Sequence, residues 1–529
     1  MFLRTLITPI LQHYCSKNYC LSSIARPIGL LILLQTQLNI GQQAAEAKNA
    51  FRSHATNLTV AQKSGRTQTS PALCPAQLAT AIETVTNRRE FSRGRWGILI
   101  QTRASGDTLY SHDADKYFIP ASNVKLLTTA AGLQLGSQFR IRTSVYATQD
   151  GGLRVVGRGD PSLTDAQLKE LAQQIYQRGI RQYSQLIAEN DYFRGANLNP
   201  SWEWEDIITD YGAPVNSSIL NQNAVKLTLI PQQLSQPLLV NWSDPIEARQ
   251  WQIDNESTTV RSVESVGVNV SRESNTTVLK ITGQLNIDAK PESIFLAVVD
   301  PDEHFLRHFR RALADVGIDV SRFRQAQPRN AIANISLLLN ELAEVESRPL
   351  SELLKETNQN SNNLYAEALL RVLGANLGKL SPTDSTAQTG LDVVKTTLTQ
   401  LGVDSSSYAI VDGSGLSRHN LVSPEAIAQT LIAMARSPLA SFYRASLPVA
   451  GISGTLQNRF RNTPAEGIVQ AKTGTVSGVV ALSGYIDAPN YEPLVFSIIV
   501  NQSDRPATTL RQAVDEIVLL LTRLRRCSQ

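Results

Sequence analysis

Charge is sparse in this chain and nowhere concentrated. Of 529 residues 18% are charged, the formal net charge is +4, and no block of five or six Lys or Arg occurs. Aromatic residues, 6% of the total, do not interleave with basic ones, so the stripe that single-stranded nucleic acid needs is missing and nucleic acid is not expected as a partner. The basic trio Arg523, Arg525 and Arg526 falls at the end of a helical pattern, where cations answer the helix dipole. The apolar run Ile28 to Leu34 is well short of the ~20 residues that span a bilayer. No glycine-rich phosphate loop follows a strand, and none of the six histidines has metal-ligand spacing with another ligand, so neither a metal nor an organic cofactor is expected.

What is present is ordinary globular composition, 42% hydrophobic, in a chain long enough for two to four domains of about 150 residues. The N-terminus carries scattered positive charge (Arg4, Lys17, Arg26), then the short apolar run, then small residues ending Ala45-Glu46-Ala47. That order is a secretory signal peptide, residues 1–47, cleaved after Ala47. The mature chain is therefore expected in the periplasm or otherwise outside the cytoplasm, without a stable membrane span. Cleavage removes Cys15 and Cys20 and leaves Cys74 and Cys527. Two survivors pair in one way or remain unrelated thiols, and the compartment is oxidising.

Residues 48–73 are polar and aperiodic, which reads as a flexible linker. Pro75 to Arg89 has helical spacing, and Trp96 to Thr102 with Leu109 to Ser111 reads as a hairpin turning at Ser105-Gly106-Asp107. Ala121 to Leu135 follows as a helix apolar nearly all round. From Phe139 to Val299 short alternating runs such as Arg142 to Ala147 and Val225 to Ile230 mark a β-rich stretch. Helical periodicity then returns in His304 to Val316, Leu350 to Thr357, Asn363 to Leu373, Leu391 to Leu401 and Pro424 to Arg436. Three strands (Ile468 to Thr473, Val479 to Ile486, Leu494 to Val500) and a helix (Thr508 to Leu524) close the chain. The expected class is α+β, an antiparallel sheet packed by helices in segments 74–136 and 301–529, with a β-rich insertion at 137–300.

Three short motifs carry chemistry. Ser122 and Lys125 stand three apart on the apolar helix, so hydroxyl and amine share a face, and a desolvated amine is a usable base. Ser361-Asn362-Asn363 opens an amphipathic helix with a hydroxyl and an amide, a pattern that also suits a plain helix cap. Lys472-Thr473-Gly474 ends an apolar strand, and about 0.1 such matches are expected by composition alone; its glycine would let a substrate backbone approach.

In this order the motifs resemble the Ser-x-x-Lys, Ser-x-Asn, Lys-Thr-Gly set of penicillin-binding proteins and serine β-lactamases. With Gly159 to Leu163, Tyr211 to Pro214, Ser361 to Glu367 and Asp412 to Arg418, the chain is similar to the class C low-molecular-mass penicillin-binding proteins, the D-Ala-D-Ala carboxypeptidase/endopeptidase family. The likeness covers roughly residues 74–525. It implies a transpeptidase-like domain interrupted by a two-domain insertion, and a serine carboxypeptidase acting on peptidoglycan stem peptides and acylated by β-lactam antibiotics. It further implies that Ser122 is the nucleophile and Lys125 its base, kept neutral partly by Lys472, while Ser361 relays a proton to the leaving amine. Asn363 would bind the substrate's peptide, Lys472 and Thr473 its terminal carboxylate, and the N–H groups of Ser122 and Thr475 the oxyanion. Asp206, Tyr211 and Arg418 would line a side-chain pocket, with Trp202 and Trp204 anchoring the loop beside it. In penicillin-recognising folds the terminal helices lie side by side, which would bring Cys74 and Cys527 within bonding reach. Two other readings are a serine β-lactamase, whose class A Glu-x-x-Leu-Asn context is missing here, and an inactive wall-binding protein of the same fold.

Overall fold

Two C-terminal segments, Val479–Ile486 and Leu494–Asn501, are buried at every position. Strands with no solvent-facing side must be covered on both faces. The computed structural model describes residues 72–527 apart from 150, 262–266, 274–275, 326–339 and 382, so the expected signal peptide and nearly all of the expected linker lie outside the described residues.

The described chain opens with helix α1 (Pro75–Thr86), strands β1 (Arg95–Thr102) and β2 (Thr108–His112), a 3-10 turn at Ala121–Asn123 and helix α2 (Val124–Gly132). It then enters two inserted modules. The first begins with β3 (Arg142–Ala147), β4 (Leu153–Val156), α3 (Asp165–Gln177) and β5 (Leu186–Glu189). The second contains β6 (Ala224–Ile230), β7 (Leu239–Trp242), the short α4 (Pro245–Ala248), further strands between Gln252 and Asn286, and β8 (Glu292–Ala297). Helix α5 (Pro301–Asp315), β9 (Phe323–Gln325) and β10 (Asn340–Glu346) return to the first module. Then come α6 (Leu350–Gln359), α7 (Asn363–Leu377), α8 (Thr386–Gln400), α9 (Pro424–Arg436), β11 (Val469–Val476), β12 (Val479–Ile486), β13 (Leu494–Asn501) and α10 (Ala507–Thr522).

The main sheet has the order β11-β12-β13-β1-β2 and is antiparallel throughout. Alternation along its strands sends Ile98, Ile100, Leu482, Phe496 and Ile498 toward α1 and α10, where they meet Leu78, Ile82, Leu510, Ile517 and Leu521. The intervening Leu99, Ala481, Val495 and Ile499 face α2 and α9 through Leu126, Leu127, Ile427 and Leu431. Full burial of each large apolar side chain stabilises by about 1.5–3 kcal/mol, which is why the two central strands read as unbroken apolar runs. Strand β11 stays at the edge, held on its outer side by the segment 448–450 near its start, and its later residues build a cleft with the start of α2.

In the first inserted module, the sheet β9-β5-β4-β3-β10 is packed by α3 and α5 through Leu168, Leu171, Ile175, Phe305, Phe309 and Leu313. The second module closes around Leu227, Leu229, Trp251, Leu279 and Ile281. Because α5 and β10 complete the first module, the insertion runs to Glu346 and not to residue 300 as the sequence suggested. Nor is it wholly β-rich: α3 was passed over, although Leu168, Leu171, Ala172 and Ile175 share its buried face. The helix expected over 121–135 is α-helical only at its centre, with 3-10 turns at both ends. The spacing of the histidines also needs correcting, since His304 and His308 stand one turn apart on α5 beside Asp244.

Cys74 and Cys527 form a disulfide, with a Cα–Cα distance of 5.7 Å. Beside it Leu73 N–H donates to Arg523 C=O at 2.9 Å and Arg525 N–H to Leu73 C=O at 3.1 Å, so the two ends of the folded region are joined as the terminal-helix argument implied. Removing the bond in Cys527→Ser is expected to lower the unfolding free energy by about 2–4 kcal/mol, read by denaturant titration of the oxidised chain. Thiol titration of a denatured, unreduced chain lacking residues 1–47 should find no free thiol; two per chain would contradict the pairing.

Candidate active site

Ser122 lies in the 3-10 turn that leads into α2, and the residue before it, Ala121, is held at φ +47°. An L-residue in the left-handed region is strained, and such strain persists only where surrounding packing enforces it. Two glycines permit that packing. A Cβ on Gly415 would lie 1.9 Å from Ala121 C=O, and one on Gly474 would lie 2.9 Å from Pro120 C=O and 3.2 Å from Ala121 Cβ. Gly474 therefore makes room for the turn bearing Ser122, a more direct reason for a glycine there than the approach of a substrate. Asn123 Nδ2 ties the same turn to Lys472 C=O at 3.2 Å.

Lys125, one turn on, is fully buried. Its Nζ lies 3.0 Å from Ser122 Oγ, 2.6 Å from Asn363 Oδ1 and 2.7 Å from Ser414 C=O. Burial pushes its pKa down to about 7, against the charges of Asp412 and Glu367, which pull it up. In the neutral amine only two hydrogens remain, and the Asn363 and Ser414 oxygens, both acceptors only, take them. The lone pair is left facing the Ser122 hydroxyl.

The second amine, Lys472 on β11, is also fully buried. It donates to Ser361 Oγ at 2.8 Å and Thr473 C=O at 2.9 Å, and no ion pair reaches it among the described residues. Burial first, and then the proximity of Lys125, hold its pKa well below the ordinary lysine value. Burial is the leading cause of the lowered pKa at both amines. Thr473 Oγ1 meets Thr455 Oγ1 at 2.8 Å. Outward-facing groups of β11 alternate: Ala471 N–H donates to Pro448 C=O, so Thr475, two pleats on, turns its N–H toward the open edge.

Ser361 is the second strained residue of the cleft, at φ +58°. The helix cap that the Ser361-Asn362-Asn363 pattern also suited falls to Asn362, whose Oδ1 accepts from Tyr365 N–H at 3.2 Å. Asn363 accepts from Lys125 and donates through Nδ2 to Tyr211 C=O at 2.9 Å. Its oxygen helps to hold Lys125, and of the two Nδ2 hydrogens one goes to Tyr211 while the other remains for a further acceptor.

Arg418, Asp206 and Tyr211 gather at the rim. Arg418 Nη1 donates to Ser477 C=O at 2.9 Å and its Nε lies 3.4 Å from Glu203. Asp206 is pushed up to about 6 by burial and by Glu203 and Glu205, with Arg418 opposing. Trp202 is an anchor, its Nε1 donating to Asp412 Oδ2 at 3.1 Å, while Trp204 is exposed.

The sequence reading gave no role to the buried carboxylates behind Lys125. Glu367 Oε1 accepts from Gly413 and Ser414 N–H, both at 2.8 Å, and Asp412 accepts from Gly415 and Ser417 N–H at 2.8 and 2.7 Å. Together they shape the loop that presents Ser414 C=O to Lys125. The available sign was Glu367 itself, an acid one turn past Asn363 and one turn before Arg371, with which it pairs at 3.6 Å on a largely apolar helix.

A serine beside two buried amines, at the edge of an antiparallel sheet between helical layers, defines the class of penicillin-recognising serine hydrolases. The sequence profile of the D-Ala-D-Ala carboxypeptidase 3 (S13) family matches residues 78–523, and the chain belongs to that family of serine-type carboxypeptidases. It is 33% identical over 431 residues to a D-alanyl-D-alanine carboxypeptidase of Actinomadura sp., covering 78% of each chain. To the penicillin-sensitive carboxypeptidase A of Dictyostelium discoideum it is 31% identical over 471 residues, covering 81% of this chain and 87% of that one. Penicillin-binding protein 4 of Haemophilus influenzae shares the fold, with a TM-score of 0.70 at 24% identity over 82% of this chain and 97% of the other.

The Lys125 amine, followed by carbon-13 NMR of its ε-carbon, is expected to titrate near pH 7. In Glu367→Gln, which keeps the Oε1 acceptor but removes a charge that raises Lys125, the midpoint should move to lower pH. A midpoint that stays put or rises would remove Glu367 from the field acting on the amine.

Proposed function

We propose that this chain is exported by its N-terminal signal peptide and trims D-alanine from peptidoglycan stem peptides by an acyl-enzyme route, with Ser122 as nucleophile and Lys125 as general base. The observation that carries this reading is the hydrogen-bond pattern at Lys125 Nζ, whose two protein acceptors direct its lone pair at Ser122 Oγ. The absence of any helix long and apolar enough to cross a membrane, among the described residues, is compatible with a soluble mature enzyme.

Ser122 Oγ attacks the carbonyl carbon of the penultimate D-alanine while its proton passes to Lys125. Negative charge gathers on the carbonyl oxygen, where the N–H groups of Ser122 and Thr475 receive it; each such donor is worth about 3–4 kcal/mol in the transition state. As the peptide bond breaks, the departing amine takes a proton through Ser361, and water then releases the acyl group. Lys472 and Thr473 hold the substrate's terminal carboxylate. A buried amine whose partners are a hydroxyl and a carbonyl gains an ion pair when that carboxylate arrives, so binding is strongest for substrates that carry one.

A cross-linked peptide also presents a carboxylate next to the leaving amine, and the same acyl-enzyme therefore supports endopeptidase action. β-Lactams offer a strained amide and an acid group in the same relation and acylate Ser122. Arg418 and Asp206 supply charges of opposite sign, and Tyr211 a neutral phenol, for a zwitterionic side chain of the stem peptide.

Ser122→Ala is expected to abolish covalent labelling by a fluorescent penicillin without changing the melting temperature, and peptide mass mapping should find the adduct on Ser122; an adduct elsewhere would overturn the assignment. The acylation rate should rise as pH passes through about 7, because only the neutral Lys125 accepts a proton. Lys472→Ala should slow acylation at least about tenfold more for peptides with a free terminal carboxylate than for their amides. Equal losses for both would remove Lys472 from the carboxylate role.

A further inference from the structure

A second group of titratable side chains lies in the insertion and has no part in the chemistry above. His304 and His308 are buried on α5 with ring centroids 4.5 Å apart. Each turns Nδ1 to a carboxylate, His304 to Glu247 Oε2 at 3.0 Å and His308 to Asp165 Oδ1 at 2.7 Å. A carboxylate at Nδ1 fixes the proton there and leaves Nε2 as a lone-pair donor. Among the described residues His304 Nε2 is buried without a hydrogen-bond partner, and His308 Nε2 lies 2.9 Å from Asp244 Oδ2 but outside hydrogen-bond geometry. One ligand atom from each of Asp244, His304 and His308 lies within 4.8 Å of the other two.

We propose that Asp244, His304 and His308 bind one divalent transition-metal ion, with Glu247 and Asp165 as the outer carboxylates that orient the two imidazoles. Two imidazole nitrogens and one carboxylate are a donor set for Zn2+, and three protein ligands leave a tetrahedral ion one position for water. The orphaned Nε2 of His304 is what the site adds beyond an ordinary ion pair, since a buried lone pair with no donor is costly unless something fills it. Asp165, Asp244 and Glu247 bring three carboxylates, against which Arg307 supplies a guanidinium 3.1 Å from Glu247. A dication on neutral imidazoles offsets the excess. The ligands come from α5 and from the cap of α4, and Asp165 begins α3, so the ion would rivet the second inserted module to the first.

The competing arrangement is a proton in place of the metal. Burial disfavours a charged His308, but its bond to Asp165 and the nearby Asp244 carboxylate prevail and raise it to about 9, so an imidazolium can sit between the two carboxylates.

The test is independent of the peptidase reading. Full-length protein stripped with chelator is loaded with Zn2+, passed through a desalting column and assayed for bound metal and melting temperature. Retention of one Zn2+ per chain, with a melting-temperature rise on the order of 3 °C, is expected. His304→Asn keeps an N–H for Glu247 but removes Nε2. Asp244→Asn keeps the Oδ1 that caps α4 through Ile246 and Glu247 N–H at 2.8 and 3.2 Å. Each should weaken Zn2+ binding at least about tenfold while the metal-free melting temperature stays close to that of the parent. Should a variant fail to fold, Co2+ in the parent chain decides, because a four-coordinate site with imidazole donors gives intense visible bands. No retained Zn2+ and no such bands, or equal binding and stabilisation in both variants, would overturn the site and leave the imidazolium bridge.

Discussion

Burial of two lysine amines in one cleft is the constraint on which the rest of this protein depends. A buried ammonium is expensive, so both groups are pushed toward the neutral form. The carboxylates that could have neutralised Lys125 directly are kept off it. Glu367 spends its oxygen on the N–H groups of Gly413 and Ser414, and Asp412 on those of Gly415 and Ser417. Had either carboxylate touched the amine, it would have kept the proton on it and removed the lone pair that Ser122 faces. Acting one step away, they fix the carbonyl of Ser414 and only moderate the fall in pKa.

The insertion takes part in this arrangement. Asn199 Nδ2 donates to Val411 C=O at 2.8 Å, Ser201 Oγ to Ser417 Oγ at 2.8 Å, and Trp202 reaches Asp412. Tyr211 C=O and Gln222 hold the amides of Asn363 and Asn362. Both loops that place acceptors around Lys125 are therefore braced by residues 199–222, and the inserted modules act as a buttress for the cleft as well as its wall.

Much of this was legible in the sequence because apolar periodicity and three rare motifs speak locally. All five strands of the main sheet, the terminal helices and the Ser122, Ser361 and Lys472 segments were read from windows of fewer than 20 residues. What escaped was relational. Helix α3 alternates with strands in the first inserted module, and its modest apolar face was lost among them. The insertion's true end at Glu346 depends on β10 pairing with β3, across almost two hundred residues. The contact of Asn363 with Tyr211 also required the fold, since nothing local says that Tyr211 C=O will meet its Nδ2. The one-turn spacing of His304 and His308 went unread as a ligand pair, and Asp244 stands sixty residues upstream.

The way the sheet is threaded sets an order of events. Ser122, Lys125, β1 and β2 all precede the insertion, whereas β11, β12, β13 and the Lys472 segment are the last strands to be made. The first inserted module has its own apolar core and needs nothing beyond Glu346 to close it. As the chain emerges from its N-terminus, that module is free to condense while Ser122 waits without a sheet edge, a second amine or the loop carrying Ser414. The cleft is thus completed by the last strands of the chain, and the bond from Cys527 to Cys74 ties that late segment back to the start of the folded region.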